Sequence, residues 1–232
     1  LLVQVWQDDW FAGAAHRAQR AWRGVEAQHV VSTMRLVDTL AEQAVLEQVL
    51  ERSKPALPAA AAGKHYLLST PFRYRPRHGS RFRRPGALGF WYGATALKTA
   101  CAEVAFWRWR FLTDSAGLEN DELLTEHTFF QAAVSGLAID LTTPPWAAAA
   151  AHWMQALDYG ATQALADAAS ERGVQWLHYA SVRDAGGTCA AVLDVAALDS
   201  IDLASQQTWH CRTTRTSVRL VHDADRFEWA WA

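Results

Sequence analysis

One carboxylate inside an otherwise apolar helix constrains this chain more than any other feature. Residues 94–106 read ATALKTACAEVAF, in which only Lys98 and Glu103 carry charge. Helical spacing sets Ala96, Thr99, Ala100, Phe106 and Trp107 on the side of Glu103. Leu97, Cys101, Val104 and Ala105 cover most of the rest, which predicts a helix buried nearly all round. Such a helix needs packed structure on every side, and an isolated carboxylate there costs several kcal/mol. Glu103 must therefore meet a cation, a hydrogen-bond network or a ligand.

The surrounding pattern predicts what packs against it. From His65 onward, YLLS, FRYRP and FWYGA are short aromatic segments divided by Pro and Gly, and they read as strands. Residues 125–134 and 136–142, VQWLHY, AAVLDV and the segment after Trp209 read as further strands. An Ala-rich helix is expected after Pro144-Pro145, and a second over Tyr159–Arg172 that Gly173 stops. The mixed order implies an α+β fold and lacks the alternation of a doubly wound sheet.

Residues 1–30 show no clean period. Ser32-Thr33 can cap a helix through MRLVDTLAEQAVLEQVLER, where Leu36, Val37, Leu40, Ala44 and Val45 recur at helical spacing. Pro55, Pro58 and Gly63 then form a connector. The expected organisation is an N-terminal helical extension over 1–62 and a main body over 63–232.

Composition narrows the function classes. Half of the 232 residues are apolar, and twelve are Trp, which suits a large core and aromatic cleft walls. A net charge of −2 argues against a surface that grips nucleic acid. Cys101, Cys189 and Cys211 are few, odd in number and set among apolar neighbours, as expected of buried thiols in a reducing cytoplasm. No apolar run reaches the roughly 18–20 residues that span a bilayer, so no membrane is expected. The chain starts with Leu and shows no secretion signal, and any segment upstream stays open.

Three clusters could carry chemistry. Residues 73–84, RYRPRHGSRFRR, hold six Arg and no acid. On a strand Arg73, Arg75 and Arg77 would share a face, as a solvated edge, an anion site or a nucleic-acid patch. Gly79-Ser80 suggests a tight turn that delivers Arg81. Tyr92, just before the Glu103 helix, is either a core aromatic or a stacking platform. In HYASVRDAGG, Ser181 lacks a G-x-S-x-G elbow, which leaves a hydrogen-bonding or turn role. There is no C-x-x-C, H-E-x-x-H, Walker or G-x-G-x-x-G pattern, and the nine His lack metal-ligand spacing, so no metal is expected.

Together, GSRF at 79–82, WYGA at 91–94, TACAEVAFWR at 99–108 and YASVRDAGG at 179–187 resemble the RES-domain family, over roughly residues 65–200. That family is named for its Arg, Glu and Ser and comprises toxins of bacterial toxin–antitoxin pairs. Its pattern falls on Arg81, Tyr92, Glu103 and Ser181, with Arg73 competing for the role of the Arg. Position 180 is Ala where many relatives have Pro.

The resemblance implies an ADP-ribosyltransferase-like mixed sheet and an NAD-consuming activity that needs no cofactor, NAD being the substrate. It implies glycohydrolase or phosphorylase action on NAD, or mono-ADP-ribosylation of a protein, with Glu103, Arg81 and Ser181 catalytic. Arg73, Tyr74 and Tyr92 would hold NAD together with Arg81 and Ser181. The implied partner is a cognate helix-turn-helix antitoxin, and a homodimer stays open. A reading of another class is a non-catalytic binding protein that uses the arginine-rich 73–84 segment.

Overall fold

Strand β3 (Leu123–Asp140) is the spine of the molecule, because alternate residues from Phe130 to Ala138 are buried and the strand is bonded along both edges. The structure, a computed structural model, describes residues 5–27, 33, 36–118 and 121–231. Along one edge of β3 runs β1 (Ala15–Glu26), antiparallel, from Ala15 opposite Ala138 to Glu26 opposite His127. Along the other edge lie β6 (Leu198–Thr213), antiparallel, and then β4 (Trp176–Ala180), parallel. The remaining strands are β2 (Trp91–Ala94), β5 (Thr188–Val192), β7 (Ser217–His222) and β8 (Asp225–Ala230).

The eight strands of the described residues form one mixed sheet in the order β1-β2-β5-β4-β3-β6-β7-β8, with β1 pairing again to β3. Five strands thereby close a circuit, and β6–β8 leave it as a meander. The weak point of the circuit is β1 against β2, which meet at a single register pair, Trp22 opposite Ala94. Strands joined so briefly diverge, and the cleft described below opens there.

The helices are α1 (Leu40–Ser53), α2 (Tyr66–Ser69), α3 (Leu97–Asp114), α4 (Ala150–Trp153) and α5 (Gly160–Glu171). One apolar cluster joins α3, α4 and α5 to the sheet through Ala100, Cys101, Ala105, Trp153, Leu165 and Leu177. A second, built from Leu68, Phe72, Trp91, Phe130 and Trp176, fills the opposite side. Small residues at 100, 101 and 105 let α3 lie close to the strands beneath it. Gly24 of β1 marks that closeness, since a Cβ there would sit 2.5 Å from the Phe129 ring and 2.8 Å from Val104.

The α+β class with a mixed sheet agrees with the sequence expectation. The helical extension over 1–62 needs correction: helix occupies Leu40–Ser53, while Ala15–Glu26 is a full strand of the main sheet. β1 escapes pattern reading because most of its side chains are exposed or half-exposed and show no apolar alternation. Of the expected cap at Ser32-Thr33, Ser32 lies outside the described residues and the Thr33 hydroxyl accepts from Gln43 Nε2 at 2.6 Å. Helix α1 instead starts at Thr39, whose hydroxyl accepts from the Glu42 N–H (3.2 Å) while Glu42 accepts from the Thr39 N–H (3.1 Å).

YLLS is helix α2 rather than a strand, and FRYRP begins as a 3-10 turn at Thr70–Arg73. Pro71 presets the turn, so Arg73, Arg75 and Arg77 share no strand face. The two strands expected at 125–134 and 136–142 are the single strand β3. Among the described residues no helix is long and apolar enough to cross a membrane.

Candidate active site

A cleft of about 400 Å3 lies between β1, β2 and α3, within the size range of small-molecule sites. Trp22, Arg23 and Gly24 come from β1, and Tyr92 and Gly93 from β2. Helix α3 contributes Glu103, Val104, Trp107 and Arg108, while Arg81, Tyr159, Tyr179 and Arg183 complete the wall.

Glu103 is half-buried on the cleft side of α3 and is not sealed in the interior. The helix is correspondingly not buried all round, since Trp107 is 47% exposed. Ser181, at the end of β4, donates its hydroxyl to Glu103 Oε1 at 2.7 Å. The Cys189 thiol approaches the same oxygen at 3.9 Å, and burial followed by the Glu103 charge pushes that thiol's pKa up, which keeps it protonated. Oε2 has no hydrogen-bond partner among the described residues. No Lys or Arg nitrogen among them lies within salt-bridge distance of Glu103. The carboxylate is oriented but unneutralised.

The loop after β4 holds Ser181 in place. Ser181 Oγ accepts from the backbone N–H of Arg183 (3.0 Å) and of Asp184 (3.2 Å), and its own N–H bonds Gly187 O (2.9 Å). Asp184 is tied to the first turn of α3 by the Thr99 hydroxyl (2.7 Å) and Lys98 (3.2 Å). Gly187 must be glycine here, because a Cβ would stand 2.5 Å from Thr99 Oγ1. With its one proton directed at Glu103 and its oxygen accepting from two backbone N–H groups, Ser181 fixes the orientation of the carboxylate.

Arg81 is delivered by a tight turn in which Ser80 and Arg83 exchange backbone bonds (2.9 and 3.2 Å). Arg81 is 7% exposed, and its guanidinium donates to Trp153 O at 2.8 Å and lies 5.5 Å from the Tyr159 ring and 6.0 Å from the Tyr179 ring. Tyr92 supports that turn: its hydroxyl pairs with Ser80 Oγ at 2.8 Å and accepts from the Phe82 N–H at 3.3 Å. Burial pushes the Tyr92 phenol pKa up, so the ring is a neutral pillar.

The structure brings Glu103, Arg81, Tyr92 and Ser181 together and leaves Arg73 and Tyr74 out. Arg73 donates to Glu51 (2.8 Å) and Pro55 O (2.6 Å), beside α1. Tyr74 faces a separate groove next to the same helix. Neither residue reaches the cleft that holds Glu103, the cause being the 3-10 turn that leads this segment towards α1.

Residues not assigned from sequence also reach the cleft. Arg183 lies 3.3 Å from the Phe106 ring centroid and donates to Ala156 O at 2.6 Å, and burial lowers its pKa. It stands inside the quoted SVR segment, so its signal was present. Arg108 pairs with Glu26 at 2.8 Å, and buried His127 sits on the cleft floor. Arg23 had no signal, because β1 itself was not legible. Among the described residues no cluster of His, Cys, Asp and Glu could hold a metal ion.

The family model described as RES domain matches residues 56–214 of the chain. Among solved structures, a chain of the M. tuberculosis MbcT–MbcA toxin–antitoxin complex is similar at 16% identity with a TM-score of 0.48. That likeness covers 84% of this chain and 92% of the other. No curated protein matches the chain.

Proposed function

This chain belongs to the RES-domain family, and from that premise we propose that it is an NAD-degrading toxin. It cleaves the bond between nicotinamide and ribose, as a glycohydrolase or phosphorylase, and a cognate helix-turn-helix antitoxin neutralises it. The observation that carries this reading is Glu103, held at one oxygen by Ser181 and left open at the other, in a cleft lined by guanidinium groups.

Breaking the C1′–N bond sends the electron pair to nicotinamide, which leaves neutral, and positive charge develops on the ribose. A fixed carboxylate beside that ribose stabilises the charge more in the transition state than in the ground state. Water or phosphate then adds to C1′ and gives up a proton. Arg81 holds the diphosphate by charge-assisted bonds, Tyr92 packs against the ribose or nicotinamide, and Ser181 keeps Glu103 aimed. Such a protein acts in the cytoplasm, where its substrate is.

Against the binding reading stands the number of arginines in this segment that find partners within the molecule, Arg77 being exposed and unpaired among the described residues. Arg73 and Arg84 pair with Glu51 and Asp167, Arg75 bonds Gly86 O, and Arg83 is enclosed by carbonyls. The deciding experiment incubates purified protein with NAD labelled in the adenosine half, with and without phosphate, and follows nicotinamide. Free ADP-ribose marks hydrolysis, a phosphate-dependent product marks phosphorolysis, and label on a macromolecule marks ADP-ribosyl transfer. NAD recovered intact under all three conditions removes the proposal.

A further inference from the structure

Among the described residues, β8 is the one strand of the sheet with a single partner. Its sequence, DRFEWA, holds no Pro and no Lys. Its pairing with β7 runs from His222 opposite Asp225 to Ser217 opposite Ala230 without a bulge. An uninterrupted edge of this kind offers a row of unmet backbone donors and acceptors to another strand. Residues 217–230 follow the matched family segment, which ends at 214, and none of them lines the cleft.

The backbone pattern fixes which residues face outward. Thr214 N–H bonds Ser217 O (2.8 Å) and Trp231 N–H bonds Thr216 O (2.9 Å), which sets the alternation on both sides of β7. Carried along the antiparallel ladder, this alternation turns the backbone of Asp225, Phe227 and Trp229 towards β7. Arg226, Glu228 and Ala230 therefore present their N–H and C=O groups at the free edge.

Charge then selects what fits there. Arg226 is exposed and has no ion-pair or hydrogen-bond partner among the described residues. Glu228 is also exposed, on the same face of the strand, and accepts from Arg219 of β7 at 2.9 and 3.1 Å. Two copies of β8 laid antiparallel must set outward residues opposite outward residues. Centring such a pair on Arg226 or on Glu228 sets like charges against each other. A centre further along the strand leaves both without an opposite charge. Centring on Phe227 places Arg226 of each copy opposite Glu228 of the other. The Arg219–Glu228 row then continues into the second copy, with reciprocal backbone bonds beneath it. On the other face Phe227, half-buried against the Trp209 ring at 5.4 Å, meets its own counterpart.

We infer that this edge docks a second copy of the chain, the two β8 strands lying antiparallel about a two-fold axis at Phe227. The contact is self-complementary, so it closes as a dimer and continues one sheet across both copies. It is short, which makes the dimer a weak one. The inference does not depend on the NAD reading.

The test follows the mass of the full chain by sedimentation equilibrium over an about hundredfold range of concentration. The parent moves from one chain towards two as concentration rises. Arg226→Glu and Glu228→Arg each set like charges across the contact, and each weakens association by at least about tenfold. Mixed in equal amounts, these two variants restore the dimer, because every charge again faces its opposite. Arg226 has no partner within its own copy, so Arg226→Glu leaves the fold intact. Glu228→Pro removes an outward N–H, spares the ladder to β7 and abolishes the dimer; it stands in for Glu228→Arg if that variant does not fold. A parent that stays monomeric at every concentration overturns the inference. So does a dimer that survives Arg226→Glu and Glu228→Pro, which moves the contact elsewhere, as to the exposed Leu40, Val45 and Val49 of α1. A mixture of the folded charge variants that fails to restore the dimer overturns it as well, since the register at Phe227 makes them complementary.

Discussion

The arginine-rich loop and the cleft are built from the same side chain and come to opposite ends. In the loop, Arg73, Arg75, Arg83 and Arg84 each find a carboxylate or carbonyl inside the molecule. In the cleft, Arg23, Arg81 and Arg183 come from distant parts of the chain, and each donates to one backbone carbonyl with no acidic partner among the described residues. Arg73 and Arg84 of the loop hold carboxylates and Arg83 is ringed by carbonyls, whereas each cleft arginine holds a single carbonyl. Binding capacity lies with groups whose donors are unmet, and sequence density does not report it.

The contrast breaks most readily at Arg83. It is 6% exposed, and truncation to Ala leaves several buried carbonyls without donors. We expect Arg83→Ala to lower stability by about 3 kcal/mol in chemical denaturation, with substrate KM unchanged in the fraction that folds. A stable Arg83→Ala protein with weakened NAD binding would assign the loop to the site.

The cleft floor should carry its own acid sensitivity. Burial, with the Arg108 charge next, lowers the His127 pKa from 6.5 to about 4, and its Nδ1 has no partner. The unfolded chain therefore binds a proton at higher pH than the folded one, so stability is full above pH 6.5 and is lost as the pH falls towards 4. The loss expected from this group is roughly 2–3 kcal/mol. Melting curves of His127→Gln against the parent between pH 7 and 4.5 should show a flatter dependence in the variant. Parallel curves would mean that His127 is solvated and the floor is open.

The smallest effect belongs to Arg73→Ala, which should leave nicotinamide release within about twofold of the parent, as for a residue remote from the substrate. A tenfold loss would bring α1 and the loop back into the site and erase the contrast.

What the sequence disclosed follows the same division. The lone acid of 94–106 and the ordered segments around Arg81, Tyr92 and Ser181 were legible, because each stands in a local pattern that survives folding. The strand β2 and the helix stop at Gly173, where φ is +74°, were legible for the same reason. Arg73 and Tyr74 misled because a 3-10 turn, seeded by Pro71, replaced the strand that the aromatic residues suggested. Arg23 was invisible because β1 draws its stability from a long backbone ladder with β3 and carries little apolar alternation of its own. The sequence pattern of Ser181 carries no sign of its partner, and the hydrogen bond to Glu103 is visible only in the fold.

Glu103→Gln preserves the shape of the side chain and can still accept from Ser181 while removing the charge. Nicotinamide release from NAD by this variant, measured beside the parent, bears most directly on the central claim. The account predicts a fall in kcat of about 10²- to 10³-fold with an unchanged melting temperature, the size expected when one fixed transition-state contact is lost. A variant that releases nicotinamide as fast as the parent would contradict it.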